Sequence, residues 1–292
     1  MINENDLASF CLITYNQEKY IKEAIHGALS QTYYNLEIII SDDASTDNTQ
    51  NIIKEVLNDY KGPHKIIINF NERNLGLVGH VNKVLYDICK GQYIFLAAGD
   101  DISLESRVEN TIGFYKENPE VVATGSNLQE IDQFSANNNS KNFQLKNQTI
   151  YDLSYYLSSS FKHLYGCTRT FTRELINAYP ALDSSCPTED TPLLLRAFLL
   201  NKKVATLQAI MVKYRIHDNN ISSQKNIVRM NVNSIFEQYN KDIKFARAKK
   251  YISHKEYGLI KRVLKSRKKS RLGKTSLFIK LKIKIFNLLA SN

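Results

Sequence analysis

Apolar runs alternate with stretches of helical periodicity along the first 125 residues. Four runs have the length and composition of buried strands, at residues 8–14, 36–41, 65–70 and 92–97. The spacing of apolar residues predicts helices at 20–29, 47–60, 78–89 and 105–117, with a further strand at 121–124. Ser45 or Thr46 is the predicted N-cap of the second helix. This alternation predicts a parallel sheet with helices on both faces.

The pattern is weaker in the second half of the chain. Residues 134–149 are rich in Asn, Gln and Ser, which predicts an exposed loop. Beyond it the pattern predicts a helix at 152–159, a strand-like run at 167–171, a helix at 191–200 and a strand at 209–215. The remainder, from about residue 227, is predicted to be helical.

The first four predicted strands all end in polar loops. These loops contain Thr14-Tyr15-Asn16, the acidic run 42–47, Asn74-Leu75-Gly76 and Gly99-Asp100-Asp101. Ligands of such sheets bind beyond the carboxyl ends of the strands. An acidic loop can hold a phosphate through Mg²⁺ or Mn²⁺, and Asp42 or Asp43 could instead accept hydrogen bonds from a base or ribose. Adjacent aspartates are also common in turns and helix caps, so each loop alone is a weak signal.

No glycine-rich phosphate loop of the dinucleotide-binding or P-loop type is present, which argues against both of those classes. The segments 11–16, 28–32, 37–47, 74–76 and 95–101 together resemble the family 2 glycosyltransferases. The resemblance extends from about residue 9 to residue 217. It implies an α/β GT-A (Rossmann-like) fold with a mostly parallel central sheet, and a nucleotide-diphosphate sugar as donor.

The resemblance also implies a division of the chain. Residues 1–225 would form the GT-A glycosyltransferase domain, with a nucleotide-sugar-binding half at 1–125 and an acceptor-side half at 126–225. Residues 226–292 would form a helical, basic C-terminal region.

The resemblance assigns most of the donor site to the four loops. Asp43 would accept a hydrogen bond from the base, Asp101 would ligate Mn²⁺ or Mg²⁺, and Asp100 would approach the ribose or the metal. The motif contains Ala98 where many relatives have an aspartate. The other residues placed in the nucleotide-sugar pocket are Thr14, Tyr15, Asn16, Glu18, Asn74 and Gly76.

Thr188-Glu189-Asp190, followed by an apolar helix, is similar to the family's E-D motif. An inverting transfer needs a base that takes the proton of the acceptor hydroxyl, and a carboxylate can do this. Asp190 is the predicted base, and Glu189 would shape the site or contact the acceptor. The same residues also suit a helix N-terminus, and both roles can hold at once.

The segment Tyr214-Arg215-Ile216-His217, with Ser222, resembles a segment that closes over the donor diphosphate. The resemblance places Arg215 on the diphosphate and His217 on the metal or diphosphate. A lone histidine is often structural, so that reading of His217 stays open. Gly166-Cys167 occupies the position of the acceptor-side loop, although strand packing explains it equally well.

Composition narrows the class of protein. Hydrophobic residues are 43% and charged residues 23% of the chain, which excludes a mainly disordered or fibrous protein. The four cysteines are scattered, which argues against a disulfide scaffold and a zinc site. The chain has no Trp, whereas processive synthases related to this family carry a Q-x-x-R-W motif, so a non-processive enzyme is predicted.

The positive charge is concentrated at one end. Residues 241–292 contain 17 Lys and Arg against two acidic residues, whereas the chain as a whole has a net charge of +10. Apolar residues with interspersed lysines at 276–289 favour a helix lying on an anionic membrane surface. A solvated or oligomer-packing face and a nucleic-acid site are the alternatives, of which nucleic acid is the least favoured.

The polar, acidic first six residues are the reverse of a secretory signal peptide, and residues 276–289 are short and contain three lysines. We therefore expect no membrane span and a cytoplasmic protein, peripheral on the inner face of the cell membrane. The predicted function is an inverting, metal-dependent transfer from a nucleotide sugar, with UDP expected, to a glycan or lipid-linked glycan of capsule or lipopolysaccharide. A sugar nucleotidyltransferase and a non-catalytic membrane- or nucleic-acid-binding protein are the alternatives.

Overall fold

The computed structural model describes residues 6–137, 146–158, 164–218, 220, 223, 226 and 230–289, with the backbone alone at 274–289. The described strands are β1 (Ala8–Thr14), β2 (Leu36–Asp42), β3 (Lys65–Phe70), β4 (Tyr93–Ala98), β5 (Ile102–Ser103), β6 (Val121–Ile131), β7 (Thr149–Tyr151), β8 (Thr170–Thr172) and β9 (Lys203–Arg215). The described α-helices are α1 (Ile21–Leu29), α2 (Thr49–Asn58), α3 (Gly76–Asn82), α4 (Arg107–Glu117), α5 (Leu153–Ser158), α6 (Arg173–Asn177), α7 (Asp190–Leu199), α8 (Val232–Ala248) and α9 (His254–Leu289).

One mixed sheet runs through the molecule in the order β3-β2-β1-β4-β8-β6-β9-β5, with β7 also paired to β9. The first four strands of that order are parallel, as predicted. Beyond β4 the sheet changes direction, because β8 is antiparallel to both β4 and β6. Strand β6 is parallel to β9, whereas β5 and β7 are antiparallel to it. The expected parallel arrangement therefore holds for β1 to β4 and for the β6–β9 pair, whereas β5, β7 and β8 are antiparallel to their neighbours.

Successive side chains of the central strands point into two separate cores, which explains their continuous apolar sequence. Phe10 and Ile38 face a core that includes residues of α1 and α4. Cys11 and Ile39 face the opposite core, which includes residues of α7, α8 and the start of α9. Both faces of β1 and β2 are thereby removed from water.

Several predicted boundaries differ from the structure. The helix predicted at 78–89 starts at Gly76 and continues after Asn82 as a π-helical segment, Lys83–Ile88. The run predicted at 167–171 is a 3₁₀ turn, Gly166–Thr168, followed by β8. Strand β6 continues seven residues past the predicted end, because its polar residues Ser126 and Asn127 are buried and hydrogen-bonded, with the Ser126 N–H donating to Thr168 Oγ1 and Asn127 Nδ2 to the carbonyl of Gln208. Residues 138–145 of the predicted loop lie outside the described residues, as do residue 159 and Ser222.

The predicted N-cap of α2 was wrong. The helix begins after Asn48, and the backbone N–H of Thr49 donates to Asp47 Oδ1 at 3.0 Å. Ser45 does not cap α2 because its hydroxyl donates to Asp42 Oδ2 and accepts from the backbone N–H of Asn16. Loop-to-loop bonds therefore take the place of the expected cap.

Helix α8 is held to the body of the protein by a buried ion pair. Arg196 of α7 donates through Nη2 to Asp242 Oδ1 of α8 at 2.8 Å, and the two side chains are 1% and 3% exposed. The same guanidinium donates to the carbonyl of Pro180 at 2.8 Å and lies 4.9 Å from the centre of the Tyr179 ring. Ile235 and Ile243 add α8 to the apolar core, so α7 and α8 form one packed unit.

Candidate active site

Strand register brings the predicted donor loops to one edge of the sheet. Thr14 at the end of β1 pairs with Asp42 at the end of β2, and Ile13 pairs with Ala98 at the end of β4. Asp42 in turn pairs with Phe70, the last residue of β3. The loops that follow these four strands therefore lie side by side.

The loop after β1 is tied to the loop after β2 by reciprocal hydrogen bonds. Asn16, which has a left-handed backbone with φ of 52°, accepts at Oδ1 from the backbone N–H of Thr46 at 2.8 Å. Glu18 Oε2 accepts from the backbone N–H of Asn48 at 2.9 Å, and the N–H of Glu18 donates to Asp47 Oδ2 at 3.1 Å. Asn16 and Glu18 thus fix the shape of the loops, whereas Tyr15 is 44% exposed.

The adjacent aspartates of the second loop have different surroundings. Both oxygens of Asp42 are engaged inside the loop, by the Ser45 backbone N–H and hydroxyl and by Gln50 Nε2. Asp43 Oδ1 accepts from Asn71 Nδ2 at 2.8 Å and from the backbone N–H of Leu75 at 2.9 Å. Asp43 therefore connects the second loop to the third, and Asp42 is an internal anchor.

The third loop ends in a sharp turn into α3. Asn74 Oδ1 accepts from the backbone N–H of Gly76 at 2.7 Å. Gly76 has a φ of 73°, a backbone conformation that side chains with a Cβ disfavour. The predicted residues Asn74 and Gly76 thus shape the loop that donates its Leu75 N–H to Asp43.

Gly99 begins the Gly-Asp-Asp motif at a point of close approach. A Cβ built on Gly99 would lie 2.7 Å from Thr14 Oγ1 and nearer still to Gln17 Oε1. These two side chains are hydrogen-bonded to each other at 2.7 Å. The absence of a side chain at Gly99 lets the first and fourth loops touch.

The Asp100–Asp101 pair lies beside His217 and Arg215. His217 Nε2 and Asp100 Oδ2 are 3.0 Å apart, and the His217 and Tyr20 rings have centroids 4.9 Å apart. Asp101 Oδ1 accepts from the backbone N–H of Arg215 at 2.9 Å. The structure therefore brings together the three residues predicted to hold a metal.

Arg215 is fully buried and its guanidinium is turned toward the protein. It donates through Nε to the carbonyl of Asp100 at 2.8 Å, through Nη1 to Ser135 Oγ at 2.8 Å, and through Nη2 to Glu23 Oε2 at 3.2 Å. Its guanidinium also lies 4.9 Å from the centre of the Tyr20 ring. In this geometry Arg215 connects β9, α1 and the turn after β6 to the Asp100–Asp101 motif.

Burial raises the pKa of Asp101 well above the ordinary value, and the charge of Asp100 adds to that rise. The N–H of Arg215 and the charges of Arg107 and Arg215 oppose it. A cation beside these carboxylates would favour their ionised forms. Among the described residues, no group of three His, Cys, Asp or Glu side chains is arranged to hold a metal ion by itself.

The predicted acceptor-side carboxylates stand at the N-terminus of α7. Asp190 Oδ1 accepts from Thr188 Oγ1 and from the backbone N–H of Thr191, both at 2.5 Å. Its other oxygen, Oδ2, lies 3.4 Å from Arg169 Nη1. Burial, followed by the charge of Asp190, raises the pKa of Glu189 to about 7.

The 3₁₀ turn Gly166–Thr168 lies close to both acidic groups. A Cβ built on Gly166 would lie 3.1 Å from Asp190 Oδ2. Burial raises the pKa of the Cys167 thiol well above its ordinary value, and the charges of Asp101 and Asp100 act in the same direction. One end of the turn is thus against Asp190, and the next residue is within electrostatic reach of the Asp100–Asp101 motif.

Sequence reasoning missed four residues of this region: Tyr20, Glu23, Arg107 and Arg169. Arg107 is buried and donates through Nη2 to the carbonyls of Leu96 and Arg169. Its contacts depend on strand pairing between distant parts of the chain, so no local motif marks it. Arg169 lies in a sequence that reads as part of a strand, and nothing there indicates its contact with Asp190.

Comparison with known proteins assigns the chain to a family. A model described as Glycosyl transferase family 2 matches residues 9–179. The chain belongs to glycosyl transferase family 2. A relative in Escherichia coli is the UDP-Glc:alpha-D-GlcNAc-diphosphoundecaprenol beta-1,3-glucosyltransferase WfaP, 38% identical over 109 residues, or 37% of this chain and 41% of that protein. The matched segment spans less than half the length of the first curated relatives.

Solved glycosyltransferase structures show the same fold at low sequence identity. The Staphylococcus aureus TarS fragment 1–349 in complex with UDP-GlcNAc has a TM-score of 0.64 and 17% identity, covering 82% of this chain and 66% of that one. The Pyrobaculum calidifontis mannosyltransferase PcManGT, in complex with GDP-Man and Mn²⁺, has a TM-score of 0.60 and 12% identity, covering 98% of this chain and 80% of that one. These similarities establish the GT-A fold for this family 2 member.

Over the part of the chain that the structure describes, no helix combines the length and apolar character that crossing a bilayer requires.

Proposed function

We propose that this glycosyltransferase is inverting, metal-dependent and non-processive. It would move a sugar from a nucleotide-diphosphate sugar to a hydroxyl of a glycan or lipid-linked glycan. The observation that carries this proposal is the position of the turn Gly166–Thr168, in which Gly166 lies against Asp190 Oδ2 and Cys167 is within electrostatic reach of Asp101. A single displacement needs an acceptor-side base opposite a group that holds the departing diphosphate.

The donor would occupy the four loops at the carboxyl edge of the parallel strands. Asp43 fits the predicted contact with the nucleotide base better than Asp42 does, because Asp42 is engaged within its own loop. The hydrogen bonds of Asp43 to Asn71 and Leu75 use its Oδ1 atom. Thr14 and Tyr15 would line the pocket, and Asn16, Glu18, Asn74 and Gly76 would hold its walls. UDP is the favoured nucleotide, since WfaP is named for UDP-Glc and TarS was solved with UDP-GlcNAc.

Asp100, Asp101 and His217 have the chemistry of a divalent cation site. Carboxylate oxygens suit Mg²⁺ and Mn²⁺, imidazole suits transition metals, and one or two carboxylates suffice when substrate phosphates complete the shell. Asp100 Oδ2 and His217 Nε2, 3.0 Å apart, would face such an ion together. When bound, a divalent cation supplies electrostatic stabilisation of the charge that develops on the diphosphate.

The residues of this chain would divide the remaining work. Asp190 Oδ2 would take the proton of the acceptor hydroxyl. At the same time, the hydroxyl oxygen bonds to the anomeric carbon and the sugar–phosphate bond breaks on the opposite face. Glu189 would shape the acceptor side. The inward hydrogen bonds of Arg215 support a bracing role at the Asp100–Asp101 motif in place of the predicted diphosphate contact.

The test is the release of nucleoside diphosphate from a panel of UDP-, dTDP- and GDP-sugars with Mn²⁺ or Mg²⁺. We expect one nucleotide sugar to be turned over, with activity lost after chelation, and the product to have the opposite anomeric configuration by NMR. Retention of configuration, or full activity in the Asp101→Ala variant, would contradict the proposal.

The first site prediction concerns Asp43. The Asp43→Asn variant should bind the donor nucleotide about 10- to 100-fold more weakly, because a hydrogen bond to a charged group contributes about 1.5 to 3 kcal/mol. Calorimetric titration with UDP measures the change. Asp42→Asn is the matched control: it alters a neighbouring aspartate that is engaged within the loop and should change stability more than UDP affinity. Equal UDP affinity in the Asp43 variant and the unaltered protein would argue against this contact.

We further propose that residues 226–292 serve as a basic region that docks the transferase domain, residues 1–225, on the cytoplasmic face of the membrane. Residues 241–292 carry 17 Lys and Arg, and α9 continues as a helix to Leu289. The relative WfaP is named for a diphosphoundecaprenol acceptor, which is a lipid-linked glycan. This supports a role in bacterial surface polysaccharide synthesis, such as capsule or lipopolysaccharide.

A charge-removal variant tests the docking proposal. Replacing Lys280, Lys282 and Lys284 with Gln should weaken binding to vesicles containing phosphatidylglycerol by about 100-fold, because each basic residue near an anionic surface contributes about 1 kcal/mol. Co-sedimentation at fixed ionic strength measures it. The matched control replaces Lys54, Lys61 and Lys65, which are exposed and lie in the N-terminal half of the chain. It should leave binding almost unchanged. Equal losses in both variants would favour non-specific charge attraction.

A further inference from the structure

We propose that Arg169 is a positioning residue that holds a positive charge beside Asp190 Oδ2, next to Glu189, and leaves that oxygen open to the acceptor hydroxyl. One carboxylate of the adjacent pair would thereby remain ready to accept a proton. The proposal rests on the proposed function, in which Asp190 is the base.

The two oxygens of Asp190 have separate roles in the structure. Oδ1 is saturated by Thr188 Oγ1 and the Thr191 N–H. Oδ2 lies close to Gly166 and to Arg169. A side chain at residue 166 would crowd Oδ2, since even a Cβ would lie 3.1 Å away. Oδ2 is therefore the oxygen that an acceptor hydroxyl can approach.

Arg169 places its positive charge beside Asp190 Oδ2 but does not form a hydrogen bond with it. Nη1 lies 3.4 Å from Asp190 Oδ2, and the side chain is 7% exposed. Nη2 donates to the carbonyl of Leu164 at 3.0 Å, which anchors the guanidinium. Among the described residues, Nε and Nη1 have no hydrogen-bond partner although both atoms are buried.

Buried donors without partners are costly, so their retention calls for a reason. A tight bidentate bond between Arg169 and Asp190 would occupy the lone pairs that a base needs. The looser contact supplies positive charge and leaves a lone pair of Oδ2 available. In this geometry the charge of Arg169 stabilises the Asp190 carboxylate and does not block it.

Glu189 supplies the reason that such support is needed. Its Oε2 atom is buried and has no hydrogen-bond partner among the described residues. Two neighbouring carboxylates in a buried site tend to share one proton. The charge of Arg169 lowers the pKa of Glu189, against the effect of burial and of Asp190. Without Arg169, the pKa of Glu189 would rise further, and Glu189 would hold its proton to higher pH beside the proposed base.

The other charged or titratable groups on this face do not replace Arg169. Tyr239 of α8 is near Asp190, and burial raises the pKa of its hydroxyl, so it is neutral across the working range. The charge of Arg271 of α9 opposes that rise in the pKa of Tyr239. Among the described residues, Arg169 is the cation that forms an ion pair with Asp190.

The experiment measures the pH dependence of donor turnover in three variants. The substrate is the nucleotide sugar found active in the panel, hydrolysed in the presence of Mn²⁺. In Arg169→Met, the acidic limb of the profile should move up by about 1 to 3 pH units, the shift expected on losing a neighbouring opposite charge. The rate at pH 6 should therefore fall by about tenfold or more, with a smaller loss at pH 9. Arg169→Lys keeps the charge and should stay close to the native profile.

The double variant Arg169→Met/Glu189→Gln separates positioning from a merely structural role. Removing the second carboxylate should return the acidic limb toward lower pH, because the shared proton then has no second site. A uniform loss of rate at all pH values, with no return in the double variant, would overturn the proposal. If Arg169→Met fails to fold, the Glu189→Gln variant tests the proposal by itself. The acidic limb of its pH–rate profile should move to lower pH. An unchanged limb would contradict the coupling between Glu189 and Asp190.

Failure of this proposal can be told apart from failure of the proposed function. If Asp190→Asn is inactive and the profile of Arg169→Met is unmoved, the base assignment stands and the role of Arg169 is wrong. If Asp190→Asn retains full activity, the base assignment itself is wrong. Because the base assignment and the role of Arg169 are tested in different variants, a failure of one is not mistaken for a failure of the other.

Discussion

Replacing Asp190 with Asn should lower the rate of sugar transfer by about 10²- to 10⁴-fold, the usual contribution of a positioned general base. The fold should survive, because Asn has nearly the same size and shape as Asp. Its side-chain oxygen can also still accept from the Thr191 N–H, as Asp190 Oδ1 does at 2.5 Å. The loss should therefore be chemical, with donor affinity almost unchanged.

Single-turnover rates with the identified donor, measured beside donor affinity, check this result. Asp152→Asn is the matched control, since Asp152 Oδ1 accepts from the backbone N–H of Tyr155 at the start of α5, away from the proposed chemistry. That control should keep its rate. A small loss in Asp190→Asn, comparable with that of the control, would identify Asp190 as a helix-capping residue.

Replacing Asp242 with Ala should destabilise the protein by about 3 to 5 kcal/mol, because it leaves the charge of Arg196 buried without its carboxylate. The partners are 1% and 3% exposed, so water cannot take the place of the missing oxygen. Urea-induced unfolding followed by circular dichroism measures the change. A loss below about 1 kcal/mol would mean that Arg196 finds a substitute partner.

Two further variants test the cause of that loss. Arg196→Met/Asp242→Leu removes both charges and should recover most of the stability, since well-packed apolar residues often match a buried ion pair. Glu174→Ala breaks the exposed pair between Glu174 and Lys202, whose side chains are 48% and 31% exposed. It should cost no more than about 1 kcal/mol. An equal cost for the exposed and the buried pair would contradict the explanation.

The N-terminal half of the fold could be predicted because its signals are local. Strands β1 and β3 have the predicted bounds, and β2 and β4 differ by one or two residues. Their apolar runs depend on burial of both faces and are visible without knowledge of the neighbours. The reversal at β8 could not be predicted, since this strand has three residues, Thr170–Thr172. Its direction follows from pairing with two distant strands.

The candidate site could likewise be predicted only in part. The loops after β1 to β4 could be placed together, because parallel strands bring their carboxyl ends to one edge. The environment of each side chain could not be predicted. Arg215 was assigned to the diphosphate by sequence resemblance, whereas its donors reach Asp100, Ser135 and Glu23. Such contacts join parts of the chain more than 75 residues apart and leave no trace in local spacing.

Gly99 and Gly166 carry no reactive group, yet the space they leave empty shapes both sides of the proposed chemistry. Even a methyl group at residue 99 would press on Thr14, and one at residue 166 would press on Asp190. In a saturating mutagenesis screen for function, both positions should therefore tolerate as few residue types as the carboxylates themselves. A design that grafts this site onto another scaffold would have to copy these two gaps along with the acidic side chains.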